Sequence, residues 1–338
     1  MSRYVGVDLH RRRSRVVVLD EDGVKLSSVN VDNREPAELV AAVAVGGEGC
    51  AVVIEAAWGW YWIADLLTDA GFEVHLAHPL GVKGYQNRRV KNDDRDAALL
   101  ADLLRMGSLP EAWISPPLLR ELRELVRYRR KLSRLRAGLK AQIHGVLGKE
   151  GAIPQLTELW GPAGASWLDS LELADVYEDR IRSLRRLIDH YDREIRRLDR
   201  QIHTWLRDDV GYNEIQRIDG VGPVFAAIFV AEIGDVSRFT SPKQLCSWVG
   251  LTPRHRESDE TVVRGPITKQ GSPLVRWAAV EAVACYQGGP TIQPAYRRIA
   301  ETRGNKIARV AAARRLLILV YYGLRDGHIR CIDQQAAA

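Results

Sequence analysis

The sequence has few cysteines and no long apolar run, and both shortages exclude classes of protein. Four cysteines occur among 338 residues, at positions 50, 246, 285 and 331, with no paired spacing. This scatter argues against a zinc site or a disulfide framework and fits a reducing cytoplasm. The apolar stretch 316–324 is too short to span a bilayer, so it predicts a buried core helix and no membrane partner.

Secretory signals, internal repeats and low-complexity segments are not visible either. Arg3 lies before a short strand-like run and not before an apolar leader, so no secretory signal is expected. We therefore expect a cytoplasmic protein. Its length of 338 residues allows two or three domains with a sizeable core.

Positive charge is in excess, with 49 Lys and Arg residues against 43 Asp and Glu and a net charge of +6. This excess favours a polyanionic partner, although a mildly basic soluble protein would show the same sum. The distribution is more informative, because nine cationic residues and only two acids lie within 120–140. The candidate nucleic-acid contacts in the basic stretches are Arg11, Arg12, Arg13, Arg88, Arg89, Arg127, Arg130, Lys131 and Arg134.

Hydrophobic periodicity predicts three regions of different character. Residues 1–107 alternate apolar β-branched runs with helical patterns in the order βββ-α-β-α-β-α, which is how a ribonuclease H-like sheet of three antiparallel strands and further parallel strands is built. Residues 108–207 carry two heptad patterns, separated by a Gly- and Pro-containing segment predicted to be a loop. The two helices form either an antiparallel hairpin or a pairing with another copy of the chain. Residues 208–338 are predicted to be a mostly helical third domain.

Four carboxylates stand out in the first region. Asp8 and Glu55 each end an apolar strand, while Asp93 and Asp96 are three apart on a predicted helix and so share a face. Asp94 is expected to point elsewhere, into solvent. Hard divalent cations such as Mg²⁺ take oxygen ligands, so the four together predict a metal site. Taken singly, each could be a surface acid at a strand end or a helix N-terminus.

The third region carries a candidate nucleophile, Ser258, in what we predict to be a polar loop after Gly250. Arg254 and Arg256 are close enough in sequence to hold a phosphate beside it. A solvated loop serine is the alternative, and Ser272, which has the pattern of a helix N-cap, is the competing candidate.

Gly220 and Gly222 lie between a short and a longer predicted helix, as in a helix-hairpin-helix element. Free backbone N–H groups at such a turn bind phosphate without reading bases. A tight helix–helix turn that needs glycine for its backbone angles would give the same pattern.

These motifs resemble a known family in their order and spacing. The segments 5–8, 54–55 and 91–97 resemble the DEDD domain of transposases of the insertion sequence 110 family, relatives of the Piv DNA invertases. The segments 218–223, 231–235, 238–239 and 250–253 resemble the second domain of that family.

The resemblance implies a site-specific DNA recombinase in the bacterial cytoplasm, associated with the nucleoid. Its first domain would be RuvC-like, with Asp8, Glu55, Asp93 and Asp96 holding Mg²⁺, and Ser258 would become covalently linked to DNA. The resemblance also implies donor and target DNA, a bridge RNA that pairs with both, and a homo-oligomer, either a dimer or a tetramer.

Three other readings of the sequence stay open. A RuvC-like, structure-specific nuclease would need the four carboxylates but not Ser258. An actin-like sugar kinase shares the strand-Asp opening but needs a Gly-rich phosphate loop, and the run Asp8-Leu9-His10 lacks the expected glycine. A non-catalytic nucleic-acid scaffold would tolerate loss of Asp96.

Overall fold

The computed structural model describes residues 2–85, 92–258, 261–286 and 289–332. The chain divides into two compact units, Met1–Ser115 and Pro116–Ala338. The predicted segments 108–207 and 208–338 lie mostly in the second unit, and the division into three domains stays a prediction.

Five strands form the sheet of the first unit: β1 (Tyr4–Leu9), β2 (Arg13–Leu19), β3 (Lys25–Asp32), β4 (Ala51–Glu55) and β5 (Glu73–Ala77). Their order is β3-β2-β1-β4-β5. The first three strands pair antiparallel, and β4 and β5 run parallel to β1. This mixed sheet confirms the predicted arrangement of three antiparallel strands extended by parallel ones.

Helices cover both faces of the sheet: α1 (Pro36–Ala44), α2 (Trp60–Asp69), the short α3 (Pro79–Val82) and α4 (Asp93–Arg105). Alternation along β2 explains the two faces, since successive strand residues point to opposite sides. Val16 and Val18 are buried in one cluster with residues of α1 and α2. Val17 and Leu19 are buried in another cluster with Ala97 and Ala101 of α4.

Helix α4 lies so close to β1 that only glycine fits between them. A Cβ atom at Gly6 would stand 2.0 Å from the carbonyl oxygen of Ala97 and 2.8 Å from the amide nitrogen of Ala101. Small residues on both elements therefore let the backbones approach, and this contact fixes where the N-terminus of α4 lies relative to the end of β1.

The second unit is mostly helical. It contains α5 (Pro117–Lys149), α6 (Pro162–Asp169), α7 (Asp175–Leu206), α8 (Val210–Ile215), α9 (Pro223–Ile233), α10 (Pro242–Val249), β6 (Pro253–Ser258), β7 (Thr261–Ile267), α11 (Pro273–Tyr286), α12 (Gly289–Arg303) and α13 (Asn305–Asp326).

The two heptad helices, α5 and α7, form an antiparallel hairpin within one chain. Arg129 donates to Asp199, and Arg136, one heptad further along α5, donates to Asp192, one heptad earlier on α7. The sequence allowed either an antiparallel hairpin or pairing with another copy of the chain, and the structure shows the hairpin. Arg129 and Arg136 fall on the four-and-three spacing of the first heptad pattern, and both pair across the seam.

Two predictions about irregular segments are wrong. The loop predicted between the heptad helices is shortened by α6, which begins at Pro162 because proline suits the first helical turn and Leu168 reaches a buried cluster. The polar loop predicted after Gly250 is instead the β6–β7 hairpin.

The apolar stretch 316–324 lies inside α13, where Leu316, Leu317 and Val320 are fully buried in the core. This confirms the prediction of a core helix. Within the described residues, no helix combines the length and apolar character that crossing a membrane requires.

We predict that Gly6→Ala lowers the free energy of unfolding by roughly 1–3 kcal/mol, since the added methyl group forces α4 away from β1. Chemical denaturation followed by circular dichroism measures the change. Gly138→Ala is the matched control, because nothing lies within 4 Å of a Cβ at that exposed position of α5. A Gly6→Ala protein as stable as Gly138→Ala would contradict the close-contact explanation.

Candidate active site

The carboxyl ends of β1 and β4 lie side by side at one edge of the sheet. Val7 pairs with Ile54 in parallel register, so Asp8 and Glu55 occupy the next positions on neighbouring strands. Both fall on the face covered by α4, because Gly6, two residues before Asp8, contacts that helix.

The N-terminus of α4 brings further acids to this face. Asn92 caps the helix, its side-chain oxygen accepting from the amide of Asp94 at 3.0 Å. Asp93, Asp94 and Asp96 lie in the first turn, where the helix dipole favours negative charge. Asp93 and Asp96 are both partly buried.

Asp8, His10 and Asp93 converge at this point. The Nε2 atom of His10 lies 3.2 Å from Oδ2 of Asp8 and 3.4 Å from Oδ1 of Asp93. One ligand atom from each of the three residues lies within 4.8 Å of the others. The Asp8 side chain is 13% exposed, against 42% for Asp93 and 45% for His10, so the group is open on one side.

This donor set fits a divalent metal. Two carboxylates supply oxygen ligands, and neutral imidazole is a common ligand of first-row divalent metals. The short spacing means that one ion between the three residues could reach all of them without large side-chain movements.

The sequence predicted part of this arrangement. The structure brings Asp8 and Asp93 together, as the metal hypothesis requires. Glu55 lies at the same sheet edge as Asp8, and Asp96 lies in the same helix turn as Asp93. Among the described residues, however, neither belongs to the group whose ligand atoms lie within 4.8 Å of one another. Their roles as metal ligands stay predictions.

Sequence reasoning did not include His10 in the site. Its position two residues beyond Asp8 was the available signal, because strand alternation sends residues i and i+2 to the same side. A histidine just past a strand-end aspartate is by itself a weak signal for a metal site. Its second partner, Asp93, lies on a helix that is distant in sequence, so the pattern around Asp8 does not reveal it.

Asp94 is not solvated, and that prediction is wrong. Its carboxylate accepts from Lys25 at 2.5 Å, from the Ser28 hydroxyl, and from Arg15 at 2.8 Å. These hydrogen bonds hold the pKa of Asp94 far below its usual range, and the one from Lys25 has the largest effect. Asp94 therefore anchors the first turn of α4 to β2 and β3, next to Asp93.

Ser258 ends β6 in a two-stranded hairpin that projects from the second unit. Every described residue of β6 is exposed. The base of the hairpin is tightly packed, since a Cβ at Gly250 would stand 2.3 Å from the carbonyl oxygen of Gln270 and one at Gly271 would stand 1.8 Å from that of Trp248. Nη1 of Arg276 donates to the carbonyl oxygens of Val249, Gln270 and Gly271.

The two faces of β6 differ in what they present. Arg256 and Ser258 are two residues apart in the regular part of the hairpin and so share a face, with Arg254 two positions earlier on the strand. His255 and Glu257 lie on the opposite face, where their side chains approach to 3.5 Å. A serine hydroxyl and a cationic side chain thus point the same way.

Ser272, the competing candidate, is tied into the helical core. Its hydroxyl donates to Oε2 of Glu232 at 3.0 Å and accepts from the amide of Val275 at the start of α11. Glu232 is 5% exposed and also binds Arg127. The prediction of a helix-cap pattern for Ser272 is confirmed.

The predicted nucleic-acid contacts differ in what surrounds them. Arg11, Arg12 and Arg13 are exposed at the turn between β1 and β2, and Lys131 and Arg134 are exposed on α5. Arg88 and Arg89 lie outside the described residues.

Two cationic residues of α5 have partners inside the second unit. Arg127 pairs with Glu232 at 2.6 Å, and the guanidinium of Arg130 lies 3.5 Å from the centre of the Trp277 ring. Part of the charge along α5 is thus used internally, although the Arg127 side chain keeps 46% of its surface exposed.

The two glycines of the predicted helix-hairpin-helix turn have different surroundings. Gly220 has a φ of +86°, and a Cβ there would stand 2.1 Å from the carbonyl oxygen of Ala282, so this glycine is explained by packing against α11. Gly222 is exposed at the N-terminus of α9.

Comparison with known proteins places both units in one family. A family model described as "Transposase", for the DEDD transposases of the IS110 group, matches residues 5–150. A second, described as "Transposase IS116/IS110/IS902 family", matches residues 212–297.

Individual relatives carry similar names. The transposase for insertion sequence element IS1111A of Coxiella burnetii is 26% identical, over 81% of this chain and 75% of that protein. The pilin gene-inverting protein of Moraxella bovis is 26% identical, over 81% of this chain and 79% of that protein. The protein y4qE of Sinorhizobium fredii, which also carries a transposase name, is 28% identical over 69% of this chain, and the match spans 57% of its own length.

The two family models together match most of the chain, and they match it in the order that the sequence motifs predicted. The chain belongs to the IS110 family of DNA transposases.

Proposed function

We propose that the chain is a site-specific DNA recombinase that cuts and rejoins strands by Mg²⁺-dependent transesterification through a covalent serine–DNA intermediate. The observation that carries this proposal is the convergence of Asp8, His10 and Asp93 inside the region matched by the DEDD family model. The sheet order β3-β2-β1-β4-β5 is consistent with a ribonuclease H-like, RuvC-like fold.

Asp8 and Asp93 would hold the cation, with His10 as a nitrogen ligand and with Glu55 and Asp96 close by on the same edge. A bound divalent ion supplies charge neutralisation at the scissile phosphate and at the leaving oxygen. The residues themselves keep the site open on one side, because His10 and Asp93 are close to half exposed. A DNA backbone could therefore approach from solvent.

Ser258 would attack the phosphodiester. The serine oxygen loses its proton and forms a bond to phosphorus, the bond from phosphorus to the leaving DNA oxygen breaks, and that oxygen takes up one proton and leaves as a hydroxyl. A DNA hydroxyl then attacks the phosphoserine ester, releases the serine and reseals a strand. Arg256, on the same face of β6, and Arg254 would hold the phosphate by charge-assisted hydrogen bonds.

Exposed cations would supply most of the sequence-independent affinity for donor and target DNA. Arg11, Arg12 and Arg13 lie next to the acidic edge, and Lys131 and Arg134 lie on α5. Such contacts make binding fall steeply with salt. The bridge RNA and the homo-oligomer follow from the family resemblance alone and belong to the same proposal.

The serine role separates this proposal from a RuvC-like nuclease that uses metal-activated water. The fixed base of the β6–β7 hairpin and the exposure of Ser258 favour the recombinase. A nuclease of that kind does not need Ser258 for its chemistry.

We predict that Ser258→Ala abolishes covalent attachment of the protein to labelled DNA in the presence of Mg²⁺ and the RNA of the element, because the attacking oxygen is removed. Denaturing gel electrophoresis measures the adduct. Ser272→Ala is the matched control and should keep forming it, since that hydroxyl only caps α11 and binds Glu232. An adduct of undiminished yield with Ser258→Ala would rule out the serine as nucleophile.

Metal binding gives a second prediction, with Mn²⁺ as the probe ion in the absence of nucleic acid. Asp8→Asn and His10→Ala should each weaken Mn²⁺ binding by about 10-fold or more in isothermal titration calorimetry, because each removes a ligand. Asp69→Asn, an exposed acid at the end of α2, is the control and should bind like the wild type. Equal affinities for all four proteins would show that the ion binds elsewhere.

A further inference from the structure

An open cavity of about 570 Å³ shares His10 with the acidic group, and its walls have a chemistry that metal binding does not need. Tryptophan and arginine side chains line it together, and His10, which contacts Asp8 and Asp93, forms part of the same wall. The cavity lies wholly within the first unit. Residues at or after the ends of β1, β3 and β4 line it, and β1 and β4 are the strands that carry Asp8 and Glu55.

Two indole rings form the aromatic wall. Trp58, just before α2, is 75% exposed, and Trp62, in the first turn of α2, is 36% exposed. Such large apolar side chains are normally well covered, so two of them in one cavity mark a binding surface. Gly59 makes the sharp turn between them possible, with a φ of +82° that favours glycine. A Cβ at Gly59 would stand 3.8 Å from Nε1 of Trp62.

The cationic part of the lining comes from the β1–β2 turn, which is held in place by a side chain of the loop after β3. Arg11 and Arg12 lie in the β1–β2 turn, and no hydrogen bond or ion pair of their side chains is found among the described residues. Asn33 fixes this turn, since its amide donates to the carbonyl oxygen of His10 at 2.7 Å while its side-chain oxygen accepts from the buried Ser14 at 2.7 Å.

The other two charged residues of the lining, Asp32 and Arg34, neutralise one another. Arg34 forms a two-pronged pair with Asp32, and this pair lowers the pKa of Asp32 to about 2. The lining therefore keeps the net positive charge of Arg11 and Arg12.

A lining that combines two indole rings with two guanidinium groups suits one ligand chemistry, an unstacked nucleobase attached to a phosphate backbone. Bases stack on indole rings whatever their identity, and arginine holds the neighbouring phosphate. A fully paired duplex keeps its bases inside the stack and offers no face to Trp58. The site is therefore suited to an unpaired strand.

We propose that this cavity binds a base of the DNA strand next to the phosphodiester on which the acidic group acts, stacked on Trp58 and Trp62 with its phosphate on Arg11 and Arg12. The assignment to DNA rests on the proposed function. The cavity holds the strand so that the adjoining phosphate lies over Asp8 and Asp93, and His10 connects the two sites.

The test measures binding of a fluorescein-labelled single-stranded DNA 12-mer to the full chain by anisotropy, with EDTA present so that no cleavage occurs. Trp58→Leu keeps an apolar side chain but removes the aromatic face, and should weaken binding about fivefold or more. Trp58→Phe keeps an aromatic face and should retain most of the affinity. The same two variants should bind the matched duplex like the wild type.

Equal binding of the single strand by wild type and Trp58→Leu would overturn the proposal. So would equal losses for Trp58→Leu and Trp58→Phe, since that pattern indicates a packing role for the indole. A loss confined to an RNA 12-mer of the same sequence would also overturn it, because the occupant would then be RNA.

The outcome is separable from that of the proposed function. The binding assay needs no metal, no guide and no serine chemistry, so it can succeed in a protein that forms no covalent adduct. Conversely, suppose that the wild type forms the Ser258 adduct while Trp58→Leu binds single strands as well as the wild type does. That result would contradict the role of the cavity and leave the proposed function intact.

Discussion

The contact between Gly6 and helix α4 is the constraint on which the acidic site depends. Because no side chain separates β1 from the backbone of α4, the first turn of the helix lies level with the carboxyl end of the strand. Asp8 comes from the strand and Asp93 from the helix, 85 positions apart in the sequence. A larger residue at position 6 would push α4 away from β1, and this movement would separate the two carboxylates although neither residue is itself substituted.

Electrostatics then divide the acids of that first turn between two roles. Asp94 is surrounded by Lys25, Arg15 and Ser28, and it holds the helix in place as a paired carboxylate. Asp93, one residue earlier and on another side of the helix, faces Asp8 and His10 instead. The cation-rich environment of one acid thus fixes the position of its neighbour without neutralising it.

Much of the first unit could be predicted from the sequence, because runs of β-branched residues between turn signals mark strands that are buried on both faces. The roles of Gly6, His10 and Asp94 could not, since each depends on which helix approaches which strand. The β6–β7 hairpin gave no strand signal, because Arg254, His255, Arg256 and Glu257 are exposed on both faces and show no apolar alternation. Helix α6 was not predicted, because the glycine and proline residues around its start are typical of a loop.

The proposed function requires Asp8, His10 and Asp93 to share one divalent ion at the edge of the sheet. The most direct measurement is an anomalous difference map from crystals of the chain grown with Mn²⁺. We expect a single strong peak within coordination distance of Asp8 and Asp93, with His10 as the nitrogen ligand. A peak bound only by other residues, in a crystal where these three side chains stay as described, would contradict it.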